Sequence, residues 1–307
     1  MYSRGAENNY VQLTIVKYDS NGHQVWVASD NQPAVGILNV QGFAMDGGGN
    51  LYVEANLGPL PPAAYSTYKY TSNGSLAWSA SDPMANYYNY AAGLALDSGT
   101  NVLITGRTEY KYTVSLQTGY VYYYVYGTYK LNAAGNYLWT NDYPSPSVGS
   151  SVANAITIDS ANNVYVTGYS TATSSNNDIV TIKYNSNGNQ AWLQRYTSPG
   201  GGNAVGNSIA VDNSGNVYVT GYDTLPGGGT EIVTIKYSAV TLQILPNGTV
   251  QLQAQGSPGE SFDVKASADL LNWQDLGSGF ADTNGLFQFD DTNAPLFNAR
   301  FYTTVPQ

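Results

Sequence analysis

Cysteine is missing from this 307-residue chain, and charge is scarce. Without cysteine there is no disulfide frame and no thiolate metal site. Only 10% of the residues are charged, against roughly 25% in ordinary soluble proteins. The 11 lysines and arginines are scattered, and the formal net charge is −10. A long basic patch is therefore impossible, which argues against nucleic acid as a partner and against attraction to an acidic membrane surface. The one histidine, His23, excludes by count a histidine-based triad and a multi-histidine zinc site. No apolar run approaches the roughly 18 residues of a membrane helix, so no membrane insertion is expected. Met1 to Tyr10 has no apolar stretch of the signal-peptide kind. The first strand-like run follows almost at once and reads as mid-repeat. A truncated, mature or internally started chain is expected.

What the chain does have is glycine (33), tyrosine (28) and a rhythm. Lys and Trp recur nine residues apart, as Lys17 and Trp26, Lys69 and Trp78, Lys130 and Trp139, Lys183 and Trp192. Lys236 keeps the beat and lacks its Trp. The Lys-to-Lys steps are 52, 61, 53 and 53 residues. A fixed period is the signature of a repeat architecture and has to be settled before any residue is read as a site.

The clearest unit runs from about Ala153 to Ser198. It reads as four short strands: 153–159, 164–169, 179–184 and 190–196. Two Asn/Asp/Gly turns punctuate it. Asp and Asn bond back to nearby backbone, and Gly takes positive φ without strain. The first turn recurs as Asp46…Asn50, Asp97…Asn101, Asp159…Asn163 and Asp212…Asn216. The second places Gly22, Gly74, Gly135 and Gly188 five residues after the Lys. Both are short enough for hairpins. The predicted architecture is all-β: a propeller of about four to five four-stranded blades. Units are expected near 36–82, 91–144, 153–198 and 206–238, with a partial blade at 10–30, all within 1–239. The strands number two, then twelve, then three. Either Gln24–Ala28 supplies the missing outer strand of the last blade and closes the ring, or the ring is incomplete.

Asn207 to Tyr222 followed by Ile232-Val-Thr-Ile-Lys-Tyr237 resembles the SBBP-type bacterial β-propeller repeat. The third unit matches it almost residue for residue. The first two have drifted: Ala55 stands where the third has Gly168, and the second carries an insertion around Glu109–Tyr126. The resemblance spans roughly residues 10–238. It implies an exported or surface-associated structural or binding propeller, and brings no catalytic residues with it. After Ser238 the rhythm stops. Residues 240–307 read as a small β-sandwich. Phe262 to Gly277, Phe289-Asp-Asp291 and Arg300-Phe-Tyr302 resemble a module at the C-termini of large exported bacterial proteins. That resemblance implies display, attachment or binding.

Candidate sites are weighed against the repeat. His23 occupies the slot of Ser75, Asn136 and Asn189, so it reads as a solvated turn residue. The repeated Lys and the repeated Asp (46, 97, 159, 212) read as architecture rather than as a ring of charges, with Lys and Asp of the same or adjacent units expected to pair. The four Trp read as blade packing rather than as sugar platforms. Asp212-Asn-Ser-Gly-Asn216 has some likeness to a calcium loop, but lacks the twelve-residue length and the terminal Glu. Calcium is thus a minor possibility, and no other cofactor is expected. Asp290 and Asp291 are adjacent in a strand-like run, pointing opposite ways, which argues against a glycosidase dyad.

The Tyr-rich insertion is the feature the repeat leaves unexplained. Tyr110, Tyr112, Tyr120, Tyr122, Tyr124 and Tyr126 on a long hairpin could stack on sugars or on another protein. The alternative is an extended hairpin whose tyrosines cover a neighbouring blade. The leading expectation is a non-enzymatic, extracellular or cell-surface binding or adhesion propeller, with a polysaccharide or a surface protein as partner. A polysaccharide-active hydrolase or lyase, and a structural spacer, stay open. An enzyme should bring two carboxylates, or a Tyr and a base, into one pocket. A binder should show an aromatic-lined surface without such a pair.

Overall fold

The computed structural model describes residues 11–32, 39–57, 64–81, 89–115, 119–145, 149–171, 176–225, 227–237, 240–255, 259, 261–269, 271–283 and 286–306. The repeat region holds seventeen strands in the expected grouping. A two-stranded hairpin joins β1 (Val11–Tyr18) and β2 (Gln24–Gln32). The first full sheet is β3 (Asn39–Met45), β4 (Leu51–Leu57), β5 (Ala64–Tyr70) and β6 (Leu76–Ser81). The second is β7 (Tyr90–Leu96), β8 (Val102–Ser115), β9 (Gly119–Leu131) and β10 (Tyr137–Tyr143). The third is β11 (Ser151–Ile158), β12 (Val164–Thr171), β13 (Asn177–Tyr184) and β14 (Gln190–Tyr196). A last sheet of three takes β15 (Ala204–Val211), β16 (Val217–Thr224) and β17 (Thr230–Tyr237). Each four-stranded sheet is an antiparallel meander in chain order, the arrangement of a propeller blade.

The turns work as their residues predict. Asp46, Asp97, Asp159 and Asp212 each accept, through Oδ1, the backbone N–H groups two and four residues on. Gly22, Gly74, Gly135 and Gly188 hold φ between 83° and 89°, the left-handed region that glycine enters without strain. Both kinds of turn lie at the same end of every blade, because the strands are antiparallel. The opposite end carries the loops between the second and third strands and the links to the next blade.

Consecutive blades share their cores. Leu103 and Tyr126 of the second blade cluster with Val166, Val180 and Ile182 of the third. Tyr52 and Tyr65 of the first cluster with Ala91, Ile104 and Tyr129 of the second. A blade buries both faces only when neighbours cover both, and the last sheet shows the contrast. Ile179 in β13 is fully buried, whereas Ile232 in the same slot of β17 is 85% exposed. At the other end, Phe43 and Met45 of β3 are exposed.

The sheets do not close into a ring. Gln24–Ala28 does not complete the last sheet. It lies in β2 and pairs with β1, with Lys17 opposite Trp26 and Ile15 opposite Ala28. The short Asp19–Gly22 turn explains this, since a local partner costs far less closure entropy than one about 200 residues away.

The chain divides into two compact units. One is Met1–Ile209 with Val219–Thr234, and the other is Ala210–Tyr218 with Ile235–Gln307. Within the second unit, β18 (Val240–Ile244), β19 (Val250–Gln255) and β22 (Leu286–Asp291) form one sheet. A second contains β20 (Ser261–Ser267), β21 (Gln274–Phe280) and β23 (Phe301–Pro306). Leu252, Ala254 and Phe287 from the first sheet share a core with Phe262 and Val264 from the second. The Phe262 and Phe287 rings stack at 4.9 Å. Arg300 pairs with Asp291 at 2.7 Å. Burial and that carboxylate push the Tyr302 phenol up to about 12. Asp290 instead accepts a hydrogen bond from Gln251, so the two adjacent carboxylates have separate partners and form no dyad.

Candidate binding site at the loop end of the blades

The repeated residues form a latch at the turn end. Lys and Trp nine apart are cross-strand partners: Lys69 opposite Trp78, Lys130 opposite Trp139, Lys183 opposite Trp192. In three cases both side chains donate to one carbonyl of the next blade. Lys17 and Trp26 reach Ser72 O, at 3.4 and 3.1 Å. Lys69 and Trp78 reach Ala133 O, at 3.2 and 2.9 Å. Lys130 and Trp139 reach Ser186 O, at 3.1 and 3.3 Å. Each Trp ring lies on the turn glycine of that next blade. A methyl added at Gly74, Gly135 or Gly188 would come within 2.9 Å of Trp26, Trp78 or Trp139.

Pairing of Lys with Asp in every unit was expected, and one such pair forms among the described residues. Lys130 meets Asp97 at 2.9 Å, with both side chains buried. The reason is the residue two positions after the turn. In the first and third blades a Tyr stands there, opposite the Lys: Tyr52 opposite Lys69 and Tyr165 opposite Lys183. The Tyr hydroxyl donates to Oδ2 of Asp46 (3.2 Å) or Asp159 (2.9 Å), and the Lys ammonium lies over the ring, at 4.9 and 5.1 Å. Tyr218 does the same for Asp212, under Lys236. The second blade has Leu103 in that slot, opposite Lys130. The ammonium there takes the place of the phenol. Burial works to raise the Asp97 carboxyl, but hydrogen bonds from Asn101 and Lys130 outweigh it and the net shift is downward.

The same accounting bears on calcium. Asp212 accepts from two backbone amides, from the Asn216 amide and from the Tyr218 hydroxyl, so both oxygens are engaged. Among the described residues no group of three or more His, Asp or Glu could hold a metal ion. His23 lies exposed on its turn, with Nδ1 3.1 Å from Asp19.

The loop end is where the blades differ. The Tyr-rich insertion is one long hairpin, with Val102 opposite Leu131 and Ser115 opposite Gly119. Tyr112, Tyr120 and Tyr122 lie on its outer part; their side chains fall outside the described residues. Tyr126 is not a surface residue. It is fully buried, and its hydroxyl donates to Val180 O of the next blade at 3.1 Å. It lies low on the hairpin, where the third blade covers it, and is removed from the binding candidates. Tyr110 stacks on Tyr123 at 5.6 Å and hydrogen-bonds Asp142. Tyr124 is half-buried on the opposite face.

Tyr124 belongs to a cluster that the sequence rhythm did not single out. The Arg107 guanidinium lies between two rings, 4.4 Å from the centroid of Tyr90 and 4.7 Å from that of Tyr124. Glu109 is buried, and its backbone N–H donates to Asn89. Burial first, then the Glu109 charge, push the Tyr124 phenol upward, partly opposed by Arg107. Burial also raises Tyr169, with Arg107 opposing and Tyr222 adding.

Arg107, Tyr169 and Tyr222 share one slot, the residue after Gly106, Gly168 and Gly221. Those glycines are required because the first strand of the blade bulges against them. A methyl there would lie 2.0 Å or less from the carbonyl oxygens of Tyr90, Val152 and Val205. In the first blade the slot holds Asn56, whose amide makes two hydrogen bonds to the backbone of Ala91. The repeat therefore brings one position of each blade to this end and fills it with Asn, Arg, Tyr and Tyr. The signal was present in the alignment of the units, one residue beyond the glycine.

Carboxylates at this end have separate settings. Asp178 pairs with Arg195 at 2.8 Å, and Arg195 also donates to Tyr143 and Ser170. Asp223 accepts from the Tyr196 hydroxyl at 3.1 Å, and the charges of Asp223 and Glu231 both help to raise that phenol, after burial. Glu54 is buried in a slot held elsewhere by Thr105, Thr167 and Thr220, and accepts from Thr67 at 2.7 Å.

Repeated four-stranded antiparallel sheets, latched turn to turn, define a β-propeller type of repeat protein. A family profile described as the SBBP beta-propeller repeat matches residues 192–222, from Trp192 in β14 through Tyr222 in β16. No curated protein matches the chain. Among solved structures, it is similar to a protein described as a "putative gluconolactonase", at 12% identity and a TM-score of 0.33, covering 80% of this chain and 81% of that one. It is also similar to the tail fiber of Staphylococcus aureus phage P68, at 9% identity and a TM-score of 0.23, covering 80% and 75%. Neither likeness bears on what this chain binds.

Proposed function

We propose that this protein is a non-enzymatic binding propeller of the cell exterior, and that its ligand is a carbohydrate. One observation carries this reading: half-buried and exposed aromatic rings gather at the end of the blades that the repeat leaves free to vary. Tyr90 and Tyr124 pack on Arg107 there, with Tyr169 within electrostatic reach of Arg107 and of Tyr222, while the turn-end Lys and Trp hold blade to blade. Flat rings with a polar edge suit sugar faces. The export that the repeat family implies would place such a surface among polysaccharides. The test is a glycan array probed with the full chain and with the Tyr124→Ala, Tyr169→Ala double variant. Binding lost in the variant, with its melting transition retained, supports the reading. A folded chain that binds no glycan on the array removes it.

A polysaccharide hydrolase is the second reading. It rests on Tyr196, whose hydroxyl feels the charges of both Asp223 and Glu231. Release of reducing ends from a polysaccharide panel, abolished by Asp223→Asn, would favour it over simple binding.

A further inference from the structure

Arg107 is the odd member of its slot. Every other cation whose setting is described on the repeat side of the molecule has an oxygen or a single ring to rest on. Lys17, Lys69 and Lys130 donate to carbonyls of the next blade, Lys183 lies over Tyr165, and Arg195 has Asp178. Arg107 lies between two tyrosine rings and makes no hydrogen bond or ion pair among the described residues. Its Nε is buried without an acceptor. A guanidinium carries five donors in a fixed fork; the one on Nε is buried here, and leaving it unmet away from water is costly. The rings of Tyr90 and Tyr124 both pack against the guanidinium, and what it has left to offer is its Nη edge.

The nearby carboxylate does not close that edge. Glu109 follows two residues on, along the same face of β8, and is buried. No ion pair joins it to Arg107. Its carboxylate is instead hydrogen-bonded with the Tyr124 phenol. The guanidinium is thus fixed by rings, with a negative group held off to one side and Tyr169 within electrostatic reach on the next blade.

We propose that Arg107, clamped between Tyr90 and Tyr124, is the anchor for the carboxylate of an acidic sugar, a uronic acid residue in a polysaccharide. The fork geometry matches a carboxylate with two parallel hydrogen bonds. Tyr169 lies within electrostatic reach of Arg107 and of Tyr222, and their rings could take the apolar faces of the sugar or of its neighbours. A neutral sugar offers the guanidinium hydroxyl acceptors but neither the charge nor the bidentate fit of a carboxylate. This inference rests on the carbohydrate-binding reading and narrows it to an anionic class.

The experiment is isothermal titration of the full chain with oligogalacturonate, oligoalginate and hyaluronan oligosaccharides, each beside its carboxyl-reduced, neutral counterpart. At least one acidic form should bind ten-fold or more tighter than its reduced form. Arg107→Gln should bring the two forms level. Glu109→Gln keeps an acceptor for Tyr124 while removing the opposing charge. It should tighten the acidic form several-fold and leave the reduced form unchanged, and this holds as a test even if the arginine variant fails to fold. Acidic and reduced forms that bind alike, or an acidic preference that survives Arg107→Gln, would overturn the proposal and leave carbohydrate binding standing. Binding to neutral glycans alone would do the same. No binding to any glycan, acidic or neutral, would overturn both.

Discussion

At the turn end, Lys69 and Trp78 converge on a single carbonyl, Ala133 O. At the loop end, Arg107 reaches no protein oxygen among the described residues. Both places are built by the same repeat, at opposite ends of its blades. The turn end uses the repeated residues, and in three cases the Lys and Trp donors find their acceptor in the next blade. The loop end uses the residues that change from blade to blade, and there polar groups and rings are left over. A repeat makes a scaffold with what it keeps and a surface with what it varies. Substitutions at the first end should therefore cost stability, and at the second end binding.

The largest expected effect is at Lys130. Its removal as Lys130→Ala strands the buried Asp97 carboxylate, and breaking a buried pair costs about 3–5 kcal/mol. Lys69→Ala removes a hydrogen bond to a carbonyl and a contact with the Tyr52 ring, with no carboxylate left bare, for about 1 kcal/mol. Urea denaturation of the two variants compares them directly. Equal midpoints would show that the Lys–Asp pair is not what distinguishes the second blade. Trp139→Ala comes next. It empties the space over Gly188 and drops the bond to Ser186, with an expected loss of about 3 kcal/mol read from the same curves.

Much of this end was legible in the sequence. The strand count followed from the Asp…Asn and Gly turns, because those residues act locally. The nine-residue interval of Lys and Trp spans a hairpin, and it translates directly into opposed positions on neighbouring strands. Leu103 was also in plain view. Its consequence, an ammonium in place of a phenol at Asp97, needed the knowledge that positions 103 and 130 are opposed. The strand count left the place of Gln24–Ala28 open between closing the ring and ending it, because pairing is decided by the nearest partner edge, which here is β1. The loop end was less legible. The tyrosines of the insertion stand out by their number alone, and Tyr126 is buried because the third blade covers the base of the hairpin. Arg107 stood one residue past an aligned glycine, but its lack of a partner is a fact of three dimensions.

Acid should reveal the turn end in a second way. Hydrogen bonds from the turn amides and from Asn or Tyr partners lower the carboxyls of Asp46, Asp97, Asp159 and Asp212 against the pull of burial. A carboxylate held below its unfolded value binds fewer protons in the folded chain. Its stabilisation is full above the ordinary value near 3.8 and is lost as pH falls through the depressed one. Melting temperature should thus be flat above about pH 5 and drop below about pH 4. Asp159→Asn should remove part of that drop and lower stability at neutral pH by about 1 kcal/mol. A variant with the full acid dependence of the parent would assign the drop to other carboxylates.

The smallest stability effect should come from Arg107, and that smallness is the sharper half of the comparison. Arg107→Gln loses two ring contacts but also relieves a buried Nε that has no acceptor. The two terms oppose, and the net change should stay within about 0.5 kcal/mol in either direction. Tyr169→Ala at the same slot should cost about 1 kcal/mol, since its ring is half exposed. If Arg107→Gln instead destabilised the chain as much as Lys130→Ala, the guanidinium would be holding the second blade together. The loop end would then be scaffold like the turn end, and the surplus donors that mark it as a binding surface would have a structural explanation. A nearly silent melt together with a changed affinity for acidic sugars requires the opposite assignment, because a residue that supports neither neighbour nor core acts on what comes from outside.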